Sequence, residues 1–282
     1  MKQIIVGIDF SKTSIHALLY AISHANKTSA DVMMIWVDAQ TSSETVFSDT
    51  GVELKEEANR NFEEIMDTYK GMMEKGELAY KLRKGKVYNE IAMLARQINA
   101  DLVITGTHGL TGFEEYWIGS NANRIVINAP CPVITIRNQF DYAPGINNIV
   151  IPIDHTKNTR QKVPFAAEIA KNWQATVHLL ALYSTELKSL RALVDNSAAE
   201  VKQYLDENRI TCVRESLPAE NVTLSTIEYA EKIKAELIAI MTEQETTTSN
   251  ILLGAYAQQM VNYSTVPVLS VHPKEIYISR TY

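Results

Sequence analysis

The sequence predicts an α/β protein built from two tandem, doubly wound domains. Each is a five-stranded parallel sheet with helices on both faces. Three observations predict it. At 282 residues the chain is too long for one small domain and long enough for two. It is written twice. Within each copy, strand-length apolar runs alternate with helical periodicity.

The repeat comes into view when the sequence is slid by 145 residues, which lays "IIVGIDFSKTS" (Ile4 to Ser14) over "IVIPIDHTKNT" (Ile149 to Thr159). Asp9 then meets Asp154, Ala21 meets Ala166 and Val32 meets Val177. Further along the shift falls to 135, and "ADLVI" lies over "AELIA", Gly119 over Gly254 and "CPVITI" over "VPVLSV". The ten-residue contraction belongs between the second strand and the third helix of the second copy. A linker, "NQFDYAPGINN", carries Pro144 and Gly145. The expected domains are residues 1–140 and 147–273.

Within the first copy, "IIVGI", "VMMIWV", "YKLRKG", "LVIT" and "PVITI" have strand length. The first, second and fourth are apolar on both faces, as buried parallel strands are. Between them, Ile15, Leu18, Leu19 and Ile22 share a helical face, as do Leu54, Ala58, Phe62, Ile65 and Tyr69. Val87, Ile91, Leu94 and Ile98 form a third stripe, and Ala122, Ile125, Val126 and Ala129 a fourth. The order βαβαβαβαβ with right-handed crossovers places a ligand site beyond the carboxyl ends of the strands. That edge carries Asp9, the residues after Val37, and the Thr105–Gly112 loop.

Composition excludes several classes. Hydrophobic residues at 46% and charged residues at 21% are ordinary for a globular chain. A net charge of −6 argues against nucleic-acid or anionic-membrane partners, which need a basic face. No stretch reaches the ~20 apolar residues of a membrane helix. The apolar run at the N-terminus is short and ends at Asp9, so it reads as a strand, not a signal peptide. Cys131 and Cys212 lie far apart and read as free thiols. These features point to a cytoplasmic protein.

The chemistry-bearing stretch is "LVITGTHGLTGFEEYWIGSNANRIV", Leu102 to Val126. Gly106 and Gly109 follow the fourth strand, and Gly119-Ser120 opens the helix beyond. Glycines there allow positive φ and close approach of a ligand, and Ser120 is placed to cap the helix, whose N–H groups suit a phosphate. The stretch is neither a Walker A loop nor a GxGxxG motif, and on its own it is equally compatible with a simple turn.

Gly106-x2-Gly109-x9-Gly119-Ser120, with "IIVGIDFS", Gly85 and "APCPVITIR", resembles the universal stress protein family over essentially the whole chain, as a tandem pair. The resemblance implies a Rossmann-like fold of the adenine nucleotide alpha hydrolase-like kind. It implies binding of ATP, or of ADP or AMP, with Mg accompanying the phosphates. It assigns Asp9 to the adenosine portion and the backbone of Val37 to adenine. Gly106, Gly109, Gly119 and Ser120 would hold the phosphates, with His108 and Asn121 beside them. Gly7 departs from the pattern, since many relatives carry proline there.

The second copy places Met241 over Gly106, Gln244 over Gly109 and Ala255 over Ser120. Met241 and Gln244 are expected to fill phosphate space, and Glu243 and Glu245 to repel it. Nucleotide binding is therefore expected in the first half alone. His108, Glu114 and Glu115 do not amount to a catalytic set, and no histidine pair has metal-ligand spacing. No catalytic and no metal-ligating residues are assigned. The implied role is a stress-response sensor or regulator; an interaction scaffold and a slow ATPase are the alternatives. In single-domain relatives the last strand joins two chains. Here "CPVITI" and "VPVLSV" would make that contact as an intrachain pseudo-twofold dimer, partly covered by "PKEIYISRTY". A further homodimer is compatible with the sequence.

Overall fold

The computed structural model describes residues 1–39, 49–107, 119–137, 145–242, 245–246 and 251–273. The first half runs β1 (Gln3–Gly7), α1 (Lys12–Thr28), β2 (Asp31–Asp38), α2 (Asp49–Tyr69), β3 (Leu78–Lys84), α3 (Val87–Gln97), β4 (Leu102–Gly106), α4 (Ser120–Asn128), β5 (Val133–Ile136). The second runs β6 (Asn148–Ile153), α5 (Val163–Trp173), β7 (Thr176–Tyr183), α6 (Lys188–Glu207), β8 (Cys212–Pro218), α7 (Val222–Lys232), β9 (Leu237–Met241). It then adds a short hairpin, β10 (Glu245–Thr246) and β11 (Ile251–Leu252), before α8 (Ala255–Tyr263) and β12 (Val268–Val271).

Among the described residues, ten of these strands form one sheet in the order β3-β2-β1-β4-β5-β12-β9-β6-β7-β8. All pairs within each half are parallel, and β5 meets β12 antiparallel. Each half is thus doubly wound, with its chain order reversing between β1 and β4, or between β6 and β9. The intrachain pseudo-dimer is this continuous sheet. The ten-residue contraction is divided between two loops. Ten residues separate β2 from α2 where four separate β7 from α6, and eight separate α2 from β3 where four separate α6 from β8.

Apolar residues on the two faces of the sheet make two cores. One holds Ile4, Val6, Met34, Ile104 and their counterparts under α1, α2, α5 and α6. The other holds Ile5, Ile35, Val103 and theirs under α3, α4, α7 and α8. The expected stripe of α4 is buried throughout, and Phe62, Ile91 and Leu94 are fully enclosed. The stripe of α1 differs from expectation. Ala17, Leu18, Tyr20, Ala21, Ile22, His24 and Ala25 are buried, while Ile15 and Leu19 are only partly so. The helix packs on α5 as well as on the sheet.

That second contact closes the seam between halves. Trp173 donates through Nε1 to Nδ1 of His24 at 3.3 Å, with the rings edge to face at 5.6 Å. Lys27 lies 5.2 Å from the Trp173 ring, and the N-terminal amine pairs with Glu168 at 2.7 Å. On the other face, Arg137 at the end of β5 donates to the carbonyl of Asn262 in the last turn of α8. Helix ends leave such carbonyls without an intrahelical donor. Burial holds the Arg137 guanidinium below its usual range. The tail from residue 274 lies outside the described residues.

Left-handed residues come in pairs that mark the repeat: Ser29 with Gln174 after α1 and α5, and Asn99 with Lys234 after α3 and α7. Gly76 and Arg209 are also left-handed, in the loops ahead of β3 and β8, but they do not occupy equivalent positions of the repeat. Phe10, at φ +63°, has no such partner, since its counterpart His155 is not left-handed.

Candidate functional site

At the carboxyl ends of β1, β2 and β4, on the α3–α4 side, lies a cleft of about 230 Å³. Its floor is a row across three strands: Ile35 beside Gly7 in register, then Thr105. Val87 and Ile91 of α3 and Ala122 and Ile125 of α4 face that row. Asp9, Val37, Gly106, Gly119, Ser120 and Asn121 all line the cleft. His108 and Gly109 lie outside the described residues, as do Glu114 and Glu115.

Asp9 is held by the turn into α1. Its Oδ1 accepts from the Ser11 amide at 3.0 Å and the Ser11 hydroxyl at 2.6 Å. Ser11 is the N-cap of α1, its Oγ accepting from the Ser14 amide at 3.2 Å. One carboxylate oxygen of Asp9 is therefore used locally, and Oδ2 makes no hydrogen bond to the described residues. Phe10 sits between these partners in the left-handed region, which for a bulky residue costs roughly 1–2 kcal/mol. Its ring lies edge to face on Phe62 at 5.2 Å and 6.4 Å from Trp36.

Two expectations about the glycine loop are corrected. First, Ser120 is not the helix cap: it is the first residue of α4, and Gly119 is the N-cap, with no side-chain capping bond. The reason is that Gly119 is tied to β4. Its amide donates to the Thr107 carbonyl at 2.8 Å, and the Thr107 amide donates to Ile136 at 2.9 Å. Second, neither Gly106 nor Gly119 needs positive φ; Gly119 has φ −56°. They are glycines for want of space. A Cβ on Gly106 would stand 2.7 Å from Cγ2 of Thr13, and one on Gly119 would stand 3.0 Å from the Thr107 carbonyl oxygen.

The second half repeats the scaffold almost bond for bond. Asp154 Oδ1 accepts from the Thr156 amide at 3.0 Å and hydroxyl at 2.6 Å. Gly254 donates to Thr242, and Thr242 to Val271. The contents differ. Leu182, at the position of Val37, is fully buried, while Leu253 and Tyr256 pack into the core on that face. Met241 is also buried, but in the core on the α5 side. Its side chain does not fill phosphate space as expected. It fits because α5 starts late. Where α1 begins at Lys12, the equivalent residues of the second half make successive three-residue turns, and the helix starts only at Val163. Pro164 fixes that start, being tolerated in a first turn but not in a helix interior. Gly106 and a full-length α1 thus go together, as do Met241 and a shortened α5. Glu243 and Gln244 lie outside the described residues, and Glu245 opens β10.

The reading from the residues did not single out Ser14 or Trp36, and it took in Thr105 and Thr107 only as part of the Thr105–Gly112 loop; all four line the cleft. A usable signal existed for Ser14, which stands three residues after the capping Ser11. Both cysteines are free, and burial pushes the Cys131 thiol up to about 12. Among the described residues no group of His, Cys, Asp or Glu side chains could hold a metal ion, and no helix is long and apolar enough to cross a membrane.

The family model of the universal stress protein family matches residues 1–137 and again 145–272. A universal stress protein of Methanocaldococcus jannaschii is 31% identical over 139 residues, covering 48% of this chain and 82% of that protein. A Staphylococcus aureus protein named for the same family is 29% identical over 153 residues, covering 51% and 91%. The crystal structure of a universal stress protein from Archaeoglobus fulgidus superposes with a TM-score of 0.78 over 96% of this chain and 98% of that one. At 16% identity the likeness speaks for the fold alone. With two matches that together span nearly its full length, the chain belongs to the universal stress protein family, as a tandem of two such domains.

Proposed function

We propose that the first half binds one adenine nucleotide per chain, ATP or a related ADP or AMP, and acts as a cytoplasmic stress-response regulator. The observation that carries this reading is a convergence. Six of the eight residues assigned from the sequence line one cleft at the point where strand order reverses. The same face of the second half is packed with Leu182, Leu253 and Tyr256.

In this reading the apolar row and α3 enclose the base, with the backbone of Val37 at its edge. The remaining oxygen of Asp9 meets the adenosine portion. The phosphates lie toward Gly106 and Gly119 and the first turn of α4, where Ser120 and Asn121 offer backbone N–H groups without a side-chain cap competing for them. His108 and Gly109 complete that end. Magnesium arrives with the phosphates and is not held by a carboxylate cage. No residue is assigned to hydrolysis.

Calorimetric titration with ATP tests the reading. The expected stoichiometry is one per chain, lost in Gly109→Gln and weakened in Asp9→Ala. No heat at millimolar ATP overturns it. Two ATP per chain would overturn the asymmetry between the halves.

A further inference from the structure

We infer that Phe10 is a positioning residue for the cleft: its ring holds the corner between β1 and α1, and thereby Asp9, in the geometry that receives a nucleotide. The inference rests on the first-half cleft being the nucleotide site, and it adds a residue that lines neither the floor nor the walls.

The argument is a comparison within one chain. Asp9 and Asp154 make the same two short-range hydrogen bonds, so the Asp turn alone does not require a left-handed residue. Yet Phe10 is left-handed and His155 is not. The difference follows the helix. In the first half the chain must leave Asp9 and enter α1 within two residues, because Lys12 is already helical. In the second half the turns between Asp154 and Val163 give it room. A left-handed residue achieves the tight corner, and glycine would be the ordinary choice. Phenylalanine remains there because its ring is anchored on Phe62, itself stacked on Tyr80 at 4.4 Å and 6°. Trp36, 6.4 Å from the same ring, reaches the cleft wall. The aromatic group thus ties α2 and β3 to the mouth of the cleft.

The outer side of Phe10 borders an open groove between α1 and α2, beside Ile15, Thr68 and Tyr69, which leaves room for a tyrosine hydroxyl. This permits a conservative rescue. Phe10→Ala should weaken ATP binding by about tenfold or more, since a binding group needs its supporting shell to hold it within about 0.5 Å. Phe10→Tyr should bind within about twofold of the parent on the same grounds. His155→Ala, at the equivalent place in the second half, should leave ATP affinity unchanged.

Titrations are made on the full chain at a temperature where thermal melts show each variant folded. If Phe10→Ala does not fold, Phe10→Leu is read in its place, keeping apolar burial without the aromatic edge. A lowered melting temperature with parental ATP affinity overturns the inference, leaving Phe10 a packing residue only. A parent that takes up no ATP overturns the nucleotide reading and, with it, this one. Loss of affinity in Phe10→Ala with recovery in Phe10→Tyr supports it.

Discussion

Ile134 lies directly opposite Leu269 across the antiparallel β5–β12 pair, and each is the other's counterpart in the repeat. The pseudo-twofold axis therefore passes between these two side chains. Both are fully buried, in the core that α1 and α5 cover. A symmetric contact is self-complementary, so one apolar strand, written twice, suffices to make it.

Replacing either residue tests how much the seam contributes. Ile134→Ala or Leu269→Ala should each cost about 2–5 kcal/mol, the range for deleting a large buried aliphatic group. Because they face each other, the double variant should depart from additivity by about 0.5–3 kcal/mol. Urea unfolding of the four proteins gives the cycle. Strict additivity would mean that the two side chains do not share their packing.

Gly106 makes a second case, in which steric space and not backbone freedom explains a glycine. Thr13 is buried on α1, and its β-branch leaves little freedom to turn Cγ2 away. Gly106→Ala should destabilise the chain by about 1–3 kcal/mol, as overpacking does. Thr13→Ser removes the methyl group in question, so the pair Gly106→Ala with Thr13→Ser should recover part of the loss. Thermal melts read both. If Gly106→Ala melts with the parent, close packing of α1 is not what requires glycine there.

How much of this was legible in the sequence depended on the kind of cause. The strands β1, β2 and β4 were legible because a parallel strand buried on both faces leaves an unbroken apolar run. The seam was legible because "CPVITI" and "VPVLSV" repeat one edge strand. Asp9 and Val37 could be placed because strand ends at a switch point share one edge of the sheet. The late start of α5 was written in Pro164, a local steric rule, but its link to Met241 was not. That link depends on how closely a helix lies over a strand from another part of the chain. For the same reason the close approach of Thr13 to Gly106 was not legible. Phe10 shows the limit most clearly. No propensity places phenylalanine in the left-handed region, and the rings beside it, Phe62 and Trp36, with Tyr80 stacked behind Phe62, come from far away in sequence.

His24 supplies a pH dependence whose sign can be worked out. Burial in the seam lowers its pKa from 6.5 to about 3, with Nδ1 accepting from Trp173 and Nε2 buried without a partner among the described residues. The folded state thus keeps His24 neutral where the unfolded chain would protonate it. Above pH 6.5 neither state binds the proton and stability is unaffected. As pH falls from 6.5 toward 3 the unfolded state gains a proton that the folded state refuses, so stability declines. The slope from this residue approaches about 1.4 kcal/mol per pH unit. Burial also lowers His178 and His272, so they add to the loss of stability as pH falls below 6.5. His24→Phe keeps an aromatic edge for Trp173 and removes the titrating group. Urea midpoints measured from pH 7 to pH 4 should fall less steeply in that variant than in the parent. Parallel curves would show that His24 is not protonated on unfolding, and that the acid sensitivity belongs to the other buried histidines.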